Sequence, residues 1–198
     1  MKTFLENLAM QRGHFVLESG MHTDLWITMD ALFIDPRSLD PHITALSELL
    51  KPYGITAVCG PMLGGAFLAQ ALAMKLNVRF YFCQPLPVQP EKGLFTARYK
   101  LPAVMRERAA KEKFAVADEI ISAGSSARVV VDELTECGAS VAAIGTLLLL
   151  GNKAVEYFQP RGLPIVSLGQ QNFNLWPPPD CPLCKQNVPL ENKVSSSA

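Results

Sequence analysis

The sequence has no excess of charge of either sign, and charged residues are scarce. Lys plus Arg (18) balance Asp plus Glu (18), and charged residues make up only 18% of the 198 residues. No overall positive charge directs the chain to nucleic acid or to an anionic membrane surface. The hydrophobic share of 49% excludes an intrinsically disordered chain. Any phosphate ligand therefore has to be held by a few local residues and by backbone N–H groups.

Cysteine is too sparse for a disulfide scaffold, since there are five cysteines, an odd number. The start of the chain, MKTFLE, lacks the apolar core of a signal peptide, and we expect a protein of the reducing cytoplasm.

The uncharged run at residues 57–74 has the length of a membrane span. Because Gly60, Pro61, Gly64 and Gly65 interrupt its first half, we interpret the run as a strand, a glycine loop and a buried helix, and expect no membrane association.

Short apolar runs alternate with amphipathic stretches along most of the chain. The runs lie at 55–59, 78–83, 114–117, 141–150 and 164–168. This alternation predicts an α/β fold with a mainly parallel sheet flanked by helices, which binds ligands at the carboxyl ends of its strands. Residues 84–102 are rich in proline and glycine and predict a hairpin or a mobile loop.

Three regions of different character are expected along the chain. The main domain is predicted to span residues 1–170, and residues 1–35 are predicted to form a small hood. This hood is expected to contain a short helix ended by Gly13, followed by two short strands around the Ser19-Gly20 turn. A proline- and cysteine-containing extension at 171–192 and a disordered tail at 193–198 are expected to follow.

The strongest chemical signal is the segment 114–126, FAVADEIISAGSS. An apolar strand leads to the adjacent acids Asp118 and Glu119, and a loop of small and hydroxyl residues then enters a helix. That loop consists of Ser122, Ala123, Gly124, Ser125 and Ser126. Its N–H groups and hydroxyls suit a monophosphate, and carboxylates accept hydrogen bonds from vicinal sugar hydroxyls. The segment thus predicts a ribose 5-phosphate site, where a side chain at Gly124 is expected to enter the phosphate space. The alternative interpretation is a strand–turn–helix with a serine cap and solvated acids.

A second loop, GPMLGG at residues 60–65, precedes the acid pair by one strand–helix unit. Gly64 and Gly65 permit the close backbone approach that a diphosphate requires, with a helix N-terminus behind them. We predict that Met62, Leu63 and Gly64 face the diphosphate. The alternative interpretation is a tight strand–helix connection without a ligand.

The segment 114–126 resembles the signature of the type I phosphoribosyltransferases, which bind 5-phosphoribosyl 1-diphosphate. Its ISAGS stretch is most similar to the version found in orotate phosphoribosyltransferases, and GHFVLESG at 13–20 and GPMLGGA at 60–66 resemble two further segments of those enzymes in the same order. The resemblance implies displacement of pyrophosphate from ribose C1 by a nitrogen of a base, in pyrimidine biosynthesis. It also implies Mg²⁺ bound with the diphosphate, and a homodimer.

The chain departs from this pattern near the base and the diphosphate. Glu18 replaces a basic residue before Ser19-Gly20, and no arginine follows the 141–150 run until Arg161. The cations of the proline-rich stretch are Lys92, Arg98 and Lys100. Lys100 or Arg98 is predicted to be the catalytic cation, in the chain's own site or in a partner's site. We therefore expect orotate to be a poor substrate. A non-catalytic regulator that binds phosphoribosyl diphosphate or a nucleotide is the alternative hypothesis.

Three more side-chain features carry predictions. Trp26 falls where the orotate enzymes place aromatics and is predicted to stack on a flat base, with a core tryptophan as the alternative. His22 is expected to be solvated, or to contact phosphate or base. Cys181 and Cys184 form a C-x-x-C turn, which is half of a four-ligand zinc site; a redox pair, a zinc-stabilised partner-binding element and no role are the alternatives.

Overall fold

The computed structural model describes residues 8–87 and 94–193. Lys92, most of the predicted N-terminal helix and residues 194–198 of the predicted tail lie outside the described residues. The strands are β1 (Ala9–Val16), β2 (His22–Thr28), β3 (Ala57–Pro61), β4 (Arg79–Pro85), β5 (Tyr99–Lys100), β6 (Lys113–Ile121), β7 (Ser140–Leu150) and β8 (Ile165–Gln171). The helices are α1 (Pro36–Leu50), α2 (Gly64–Leu76), α3 (Ala103–Ala109), α4 (Ser125–Glu136), α5 (Lys153–Phe158) and α6 (Pro182–Lys185).

The central sheet has the strand order β5-β4-β3-β6-β7-β8. All neighbouring strands are parallel except β5, which pairs antiparallel with the end of β4 at Gln84 and Pro85. β5 thus pairs the two described ends of the proline-rich stretch with each other. β1 and β2 form a separate antiparallel pair, the hood. The predicted α/β architecture with an N-terminal hood is confirmed.

Each face of the sheet is buried, as the continuous apolar runs predict. Successive residues of a strand point to opposite faces, so Ala115 and Ala117 of β6 pack with α1 and α2, while Phe114 and Val116 pack with α4 and α5. The two helical layers hold β3 and β6 in the middle of the molecule. None of the described helices is long and apolar enough to cross a membrane.

The prediction of an N-terminal helix is wrong for residues 9–13, which belong to strand β1. Ala9 pairs with Thr28 and Gln11 with Trp26 across the hood, and Phe15 is fully buried. Cross-strand pairing and this burial outweigh the weak helical spacing of three apolar residues. The short helices α3 and α5 were not predicted, because neither carries a clear period.

Candidate active site

A cleft of about 630 Å³ opens at the carboxyl ends of β3 and β6, the edge at which such sheets bind ligands. Its lining includes residues from the hood turn at 17–19, the glycine loop at 61–65, the acid pair and the serine loop at 122–126. The segments that sequence reasoning connected to a sugar phosphate and a diphosphate therefore meet in one place.

The acid pair lies within strand β6 rather than in a loop after it, because the strand continues to Ile121. Asp118 is 7% exposed, and burial followed by the charge of Glu119 raises the pKa of Asp118 well above its ordinary value. Burial also raises the pKa of Glu119, whose buried Oε2 has no hydrogen-bond partner among the described residues. A buried oxygen of this kind has capacity for a donor that a ligand brings. The alternative of solvated acids is wrong.

The glycine loop contacts the acid pair directly. A Cβ placed on Gly64 would lie 2.3 Å from Glu119 Oε1, and one placed on Gly65 would lie 2.9 Å from Asp118 Oδ1. Glycine at both positions therefore makes room for the two carboxyl groups. Helix α2 begins at Gly64 without a side-chain cap, which leaves its first N–H groups available to an anion. Met62, Leu63 and Gly64 all line the cleft.

The serine loop leads into α4 with Gly124 at the N-cap position and no side-chain cap. The alternative of a serine cap is therefore wrong, and the N-terminus of α4 is open to an anion. Ser122, Gly124, Ser125 and Ser126 line the cleft. Ala123 does not line it, since this residue is 1% exposed and packs into the fold.

The expectation that a side chain at Gly124 enters the phosphate space is wrong. A Cβ on Gly124 would point away from the cleft, to Ala154 Cβ and Phe158 Cε2 at 3.2 Å each. The glycine is needed for its backbone conformation, since φ is +78°, which side chains disfavour. The unpredicted helix α5 lies behind the loop, so the direction could not be inferred without it.

Sequence reasoning missed Arg128, which supports the serine loop from below. Its Nη2 donates to the carbonyl of Ala123 at 2.8 Å, and its guanidinium lies between the rings of Phe95 (4.1 Å) and Tyr157 (3.8 Å). Burial lowers the pKa of Arg128. The position of Arg128 four residues after Gly124 was the only sequence signal for this role. The two aromatic rings that stack on its guanidinium come from distant segments of the chain.

One wall of the cleft, on the side of the hood, is formed by Glu18, Trp26 and Tyr99. The Tyr99 hydroxyl donates to Glu18 Oε1 at 2.8 Å, and burial followed by the charge of Glu18 raises the pKa of Tyr99. Trp26 is half-buried, lines the cleft and lies against Phe15, with ring centroids 6.0 Å apart. An aromatic face and a fixed carboxylate thus stand together where a planar ligand can lie.

The described lining of this cleft is strongly acidic. Its charged members are Glu18, Asp30, Asp118, Glu119 and Lys193. The ammonium of Lys193 lies 3.8 Å from a carboxylate oxygen of Glu191 and donates to Gln11. The one cation among the described lining residues already has partners, so the described lining offers no available counter-charge to an additional carboxylate.

The predicted catalytic cations Arg98 and Lys100 are exposed and do not line the cleft. Tyr99 stands between them and does line it, as expected where neighbouring residues of an extended chain point to opposite sides. A catalytic role for Arg98 or Lys100 therefore requires movement of this segment or a second chain, and it stays a prediction.

His22 lies outside the cleft. It is 6% exposed, so the expectation of a solvated side chain or of a ligand contact is wrong. Its Nδ1 lies 3.3 Å from Cys184 Sγ, and His14 and Cys181 complete the same cluster. The buried thiols of Cys59 and Cys83 are also neighbours, with Sγ atoms 3.8 Å apart.

The architecture is that of the phosphoribosyltransferases. An orotate phosphoribosyltransferase from Aeropyrum pernix superimposes with a TM-score of 0.62 at 24% identity, covering 82% of this chain and 88% of that one. An adenine phosphoribosyltransferase from Rhodothermus marinus gives a TM-score of 0.62 at 19% identity, covering 85% and 97%. The fold is therefore that of the type I phosphoribosyltransferases.

Sequence comparison narrows this class to one family, although no family model matches the chain. The orotate phosphoribosyltransferase of Thermotoga maritima is 32% identical over 190 residues, which is 94% of this chain and 92% of that protein. The enzyme of the same name from Heliobacterium modesticaldum is 32% identical over 94% of this chain and 91% of its own length. The chain belongs to the orotate phosphoribosyltransferase family. It is an enzyme that transfers a phosphoribosyl group to a base, and the comparisons do not support the non-catalytic alternative.

Proposed function

We propose that this chain transfers the 5-phosphoribosyl group of phosphoribosyl diphosphate to a ring nitrogen of a pyrimidine that carries no carboxylate. The observation that carries this proposal is the position of the Asp118–Glu119 pair between two uncapped helix N-termini, those of α2 and α4. Each N-terminus suits one phosphate end of the donor. The acid pair between them suits the ribose hydroxyls.

Each part of the donor has a matching group in the cleft. The 5-phosphate would accept hydrogen bonds from the serine loop and the α4 N-terminus, and the diphosphate would lie at Met62–Gly64. Carboxylate oxygens are the ligands that Mg²⁺ prefers, and the orphaned Oε2 of Glu119 fits a hydroxyl or a water on that ion. Mg²⁺ bound with the diphosphate would compensate its negative charge.

The chemical step needs positioning and charge stabilisation more than proton transfer. Positive charge develops on the ribose ring as the bond from C1 to the diphosphate breaks, and a carboxylate beneath the ring stabilises that charge. The cleft walls hold the ring and the base in line and exclude water. Asp118 and Glu119 would thereby bind the sugar and also favour the transition state.

The base is proposed to lie on Trp26 beside Glu18. A carboxylate fixed by the Tyr99 hydroxyl at 2.8 Å can accept a hydrogen bond from a ring N–H or an amino group. An anionic base would bring a second carboxylate into a wall that holds no unpaired cation among the described lining residues, and its desolvation would be uncompensated. A neutral pyrimidine fits this wall better.

Orotate is the second candidate base, favoured by the names of the relatives. The transferase is also proposed to act as a cytoplasmic homodimer, with Arg98 or Lys100 of one chain reaching the cleft of the other. Mixing a Lys100→Ala, Arg98→Ala chain with an Asp118→Asn, Glu119→Gln chain tests this arrangement. Restored activity in the mixture is expected, and an inactive mixture would exclude sharing between chains.

The test of the proposed reaction is a panel of bases with phosphoribosyl diphosphate and Mg²⁺. Pyrophosphate release and the mass of the nucleotide product are both measured, so that hydrolysis of the donor is distinguished from transfer. The Asp118→Asn, Glu119→Gln variant is the matched inactive control. Base-dependent nucleotide formation is expected for the wild-type chain, and its absence for every base would refute the proposal.

A further inference from the structure

Two histidines and two cysteines meet outside the active-site cleft. His14 belongs to β1 and His22 to β2, whereas Cys181 and Cys184 belong to the C-terminal segment around α6. One ligand atom from each side chain lies within 4.8 Å of the others. None of the four lines the cleft. The C-x-x-C turn therefore has its missing partners in the hood, more than 150 residues away in sequence.

The distances match the edges of a small tetrahedron. Zn–S bonds of about 2.3 Å and Zn–N bonds of about 2.0–2.1 Å place tetrahedral ligand atoms about 3.3 Å (N to N) and about 3.5 Å (N to S) apart. His14 Nε2 and His22 Nδ1 are 3.1 Å apart, and Cys184 Sγ lies 3.7 Å from the first and 3.3 Å from the second. Cys181 Sγ lies 3.4 Å from His14 Nε2. One ion has the right size for this space.

The ring of His14 is already oriented for metal binding. Its Nδ1 lies 2.9 Å from the carbonyl oxygen of Val188, so Nδ1 carries the proton and donates it. The Nε2 lone pair then faces the cluster, which is the arrangement that fixes ligand histidines in metal sites. His14, His22 and Cys181 are at most 6% exposed, while Cys184 is exposed and offers a route of entry.

We propose that His14, His22, Cys181 and Cys184 bind a single structural Zn²⁺ ion. Tetrahedral S₂N₂ coordination is typical of zinc, and four protein ligands leave no open position for catalysis. Binding converts the two thiols to thiolates and releases two protons. The short sulfur-to-nitrogen distances exclude a two-iron cluster, in which the cysteines and the histidines bind different iron atoms.

The ion would join the hood to the C-terminal segment, which are already connected by backbone hydrogen bonds. A two-stranded hairpin is marginally stable alone, and here β1 and β2 form a sheet of their own. Backbone hydrogen bonds connect His22 with Trp176 (2.8 and 2.9 Å) and His14 with Glu191 (2.8 Å). The zinc would complete this attachment in the hairpin whose turn carries Glu18. Its role is therefore to position the base-binding wall, without touching the substrate.

The first test is the metal content of the full chain, purified without a metal-affinity column or a chelator. About one zinc per chain is expected by mass spectrometry. Cys184→Ser, a small change at an exposed position, is expected to weaken zinc binding more than about 100-fold, beyond the 10–100-fold that loss of an outer partner causes. Cys137→Ser is the matched control and is expected to keep the metal. Equal zinc affinity in wild type and Cys184→Ser would overturn the proposal.

The second test replaces zinc by Co²⁺, whose spectrum reports coordination. Tetrahedral d–d bands and a sulfur-to-cobalt charge-transfer band are expected in the wild-type chain and not in Cys184→Ser. Hydrogen exchange after zinc removal is expected to speed up in β1, β2 and residues 174–191, with β6 unchanged. An octahedral cobalt spectrum, or a disulfide between Cys181 and Cys184 in place of metal, would refute the site. These readouts need no substrate, so they are independent of the proposed base.

Discussion

Gly64→Ala tests the contact between the glycine loop and the acid pair. The added Cβ would lie 2.3 Å from Oε1 and 2.4 Å from Cδ of Glu119. The obstacle is the end of a flexible side chain, so the carboxylate is expected to move while the backbone stays in place. Gly60→Ala is the contrasting variant, because its Cβ would lie 2.1 Å from the carbonyl oxygen of Gly65 and the backbone itself would have to shift.

The expected loss in Gly64→Ala is one charge-assisted hydrogen bond to the sugar. Such bonds contribute about 1.5–3 kcal/mol, so the dissociation constant for ribose 5-phosphate should rise about 10- to 150-fold. The free energy of unfolding is expected to change by less than about 1 kcal/mol. Gly60→Ala should instead lower the free energy of unfolding by several kcal/mol, since main-chain atoms collide.

A double-mutant cycle makes this reasoning refutable. Glu119→Ala removes the carboxylate that collides with the new methyl group, so Gly64→Ala in that background should cost less than about 0.5 kcal/mol of binding. Calorimetric titration with ribose 5-phosphate, alongside urea unfolding, measures both quantities. Additive losses from the two substitutions would show that the glycine acts through something other than Glu119.

Three further predictions concern the same edge of the sheet. Asp118→Asn with Glu119→Gln should weaken ribose 5-phosphate binding by about 1.5–3 kcal/mol per lost bond and inorganic phosphate far less; equal losses in titration would show that the acids do not bind the sugar. Because the pKa of Asp118 is raised above its ordinary 3.8, the folded chain keeps a proton that the unfolded chain releases, so stability falls as pH rises through that interval. Asp118→Asn should reduce this fall and stabilise the chain at neutral pH. Urea unfolding measures the free energy of unfolding across pH, and parallel curves for the wild type and the variant would contradict the reasoning. Gly124→Ala should lower the free energy of unfolding by about 1–2 kcal/mol because of its left-handed backbone; a stability equal to wild type would show that the loop relaxes.

The parts of the site that lie within one strand–loop–helix unit could be predicted from the sequence. The segments around Asp118 and Gly64 each show an apolar strand followed by a loop of small residues. Because ligands bind at the carboxyl ends of parallel strands, both loops are expected at the same edge of the sheet. Residues 61–65, the acid pair and the serine loop apart from Ala123 therefore line one cleft. Local patterns were sufficient there because the fold repeats one simple unit.

Contacts between distant segments could not be predicted. Glu18 pairs with Tyr99 across 81 residues, and His14 meets Cys181 across 167, so no local spacing reports either one. The direction of a side chain at Gly124 depended on helix α5, which lacks a sequence period. The C-x-x-C turn did predict half of a metal site, and two histidines flanking the Ser19-Gly20 turn were the signal that could have completed it.

The central claim is that this transferase uses a pyrimidine without a carboxylate, and competition between two bases tests it most directly. Uracil and orotate are supplied together with phosphoribosyl diphosphate and Mg²⁺, and the two nucleotide products are separated by mass. If the carboxylate of Glu18 lies about 8 Å from the carboxylate of bound orotate, their repulsion at an effective dielectric of about 20 is about 2 kcal/mol. Glu18→Gln removes this repulsion and should therefore shift the product ratio about 30-fold toward the orotate product. The account predicts that uracil is preferred by the wild-type chain. A wild-type preference for orotate would contradict the account. A kcat/KM for orotate of about 10⁴ M⁻¹s⁻¹ or more with no response to Glu18→Gln would also show that Glu18 does not repel the base carboxylate.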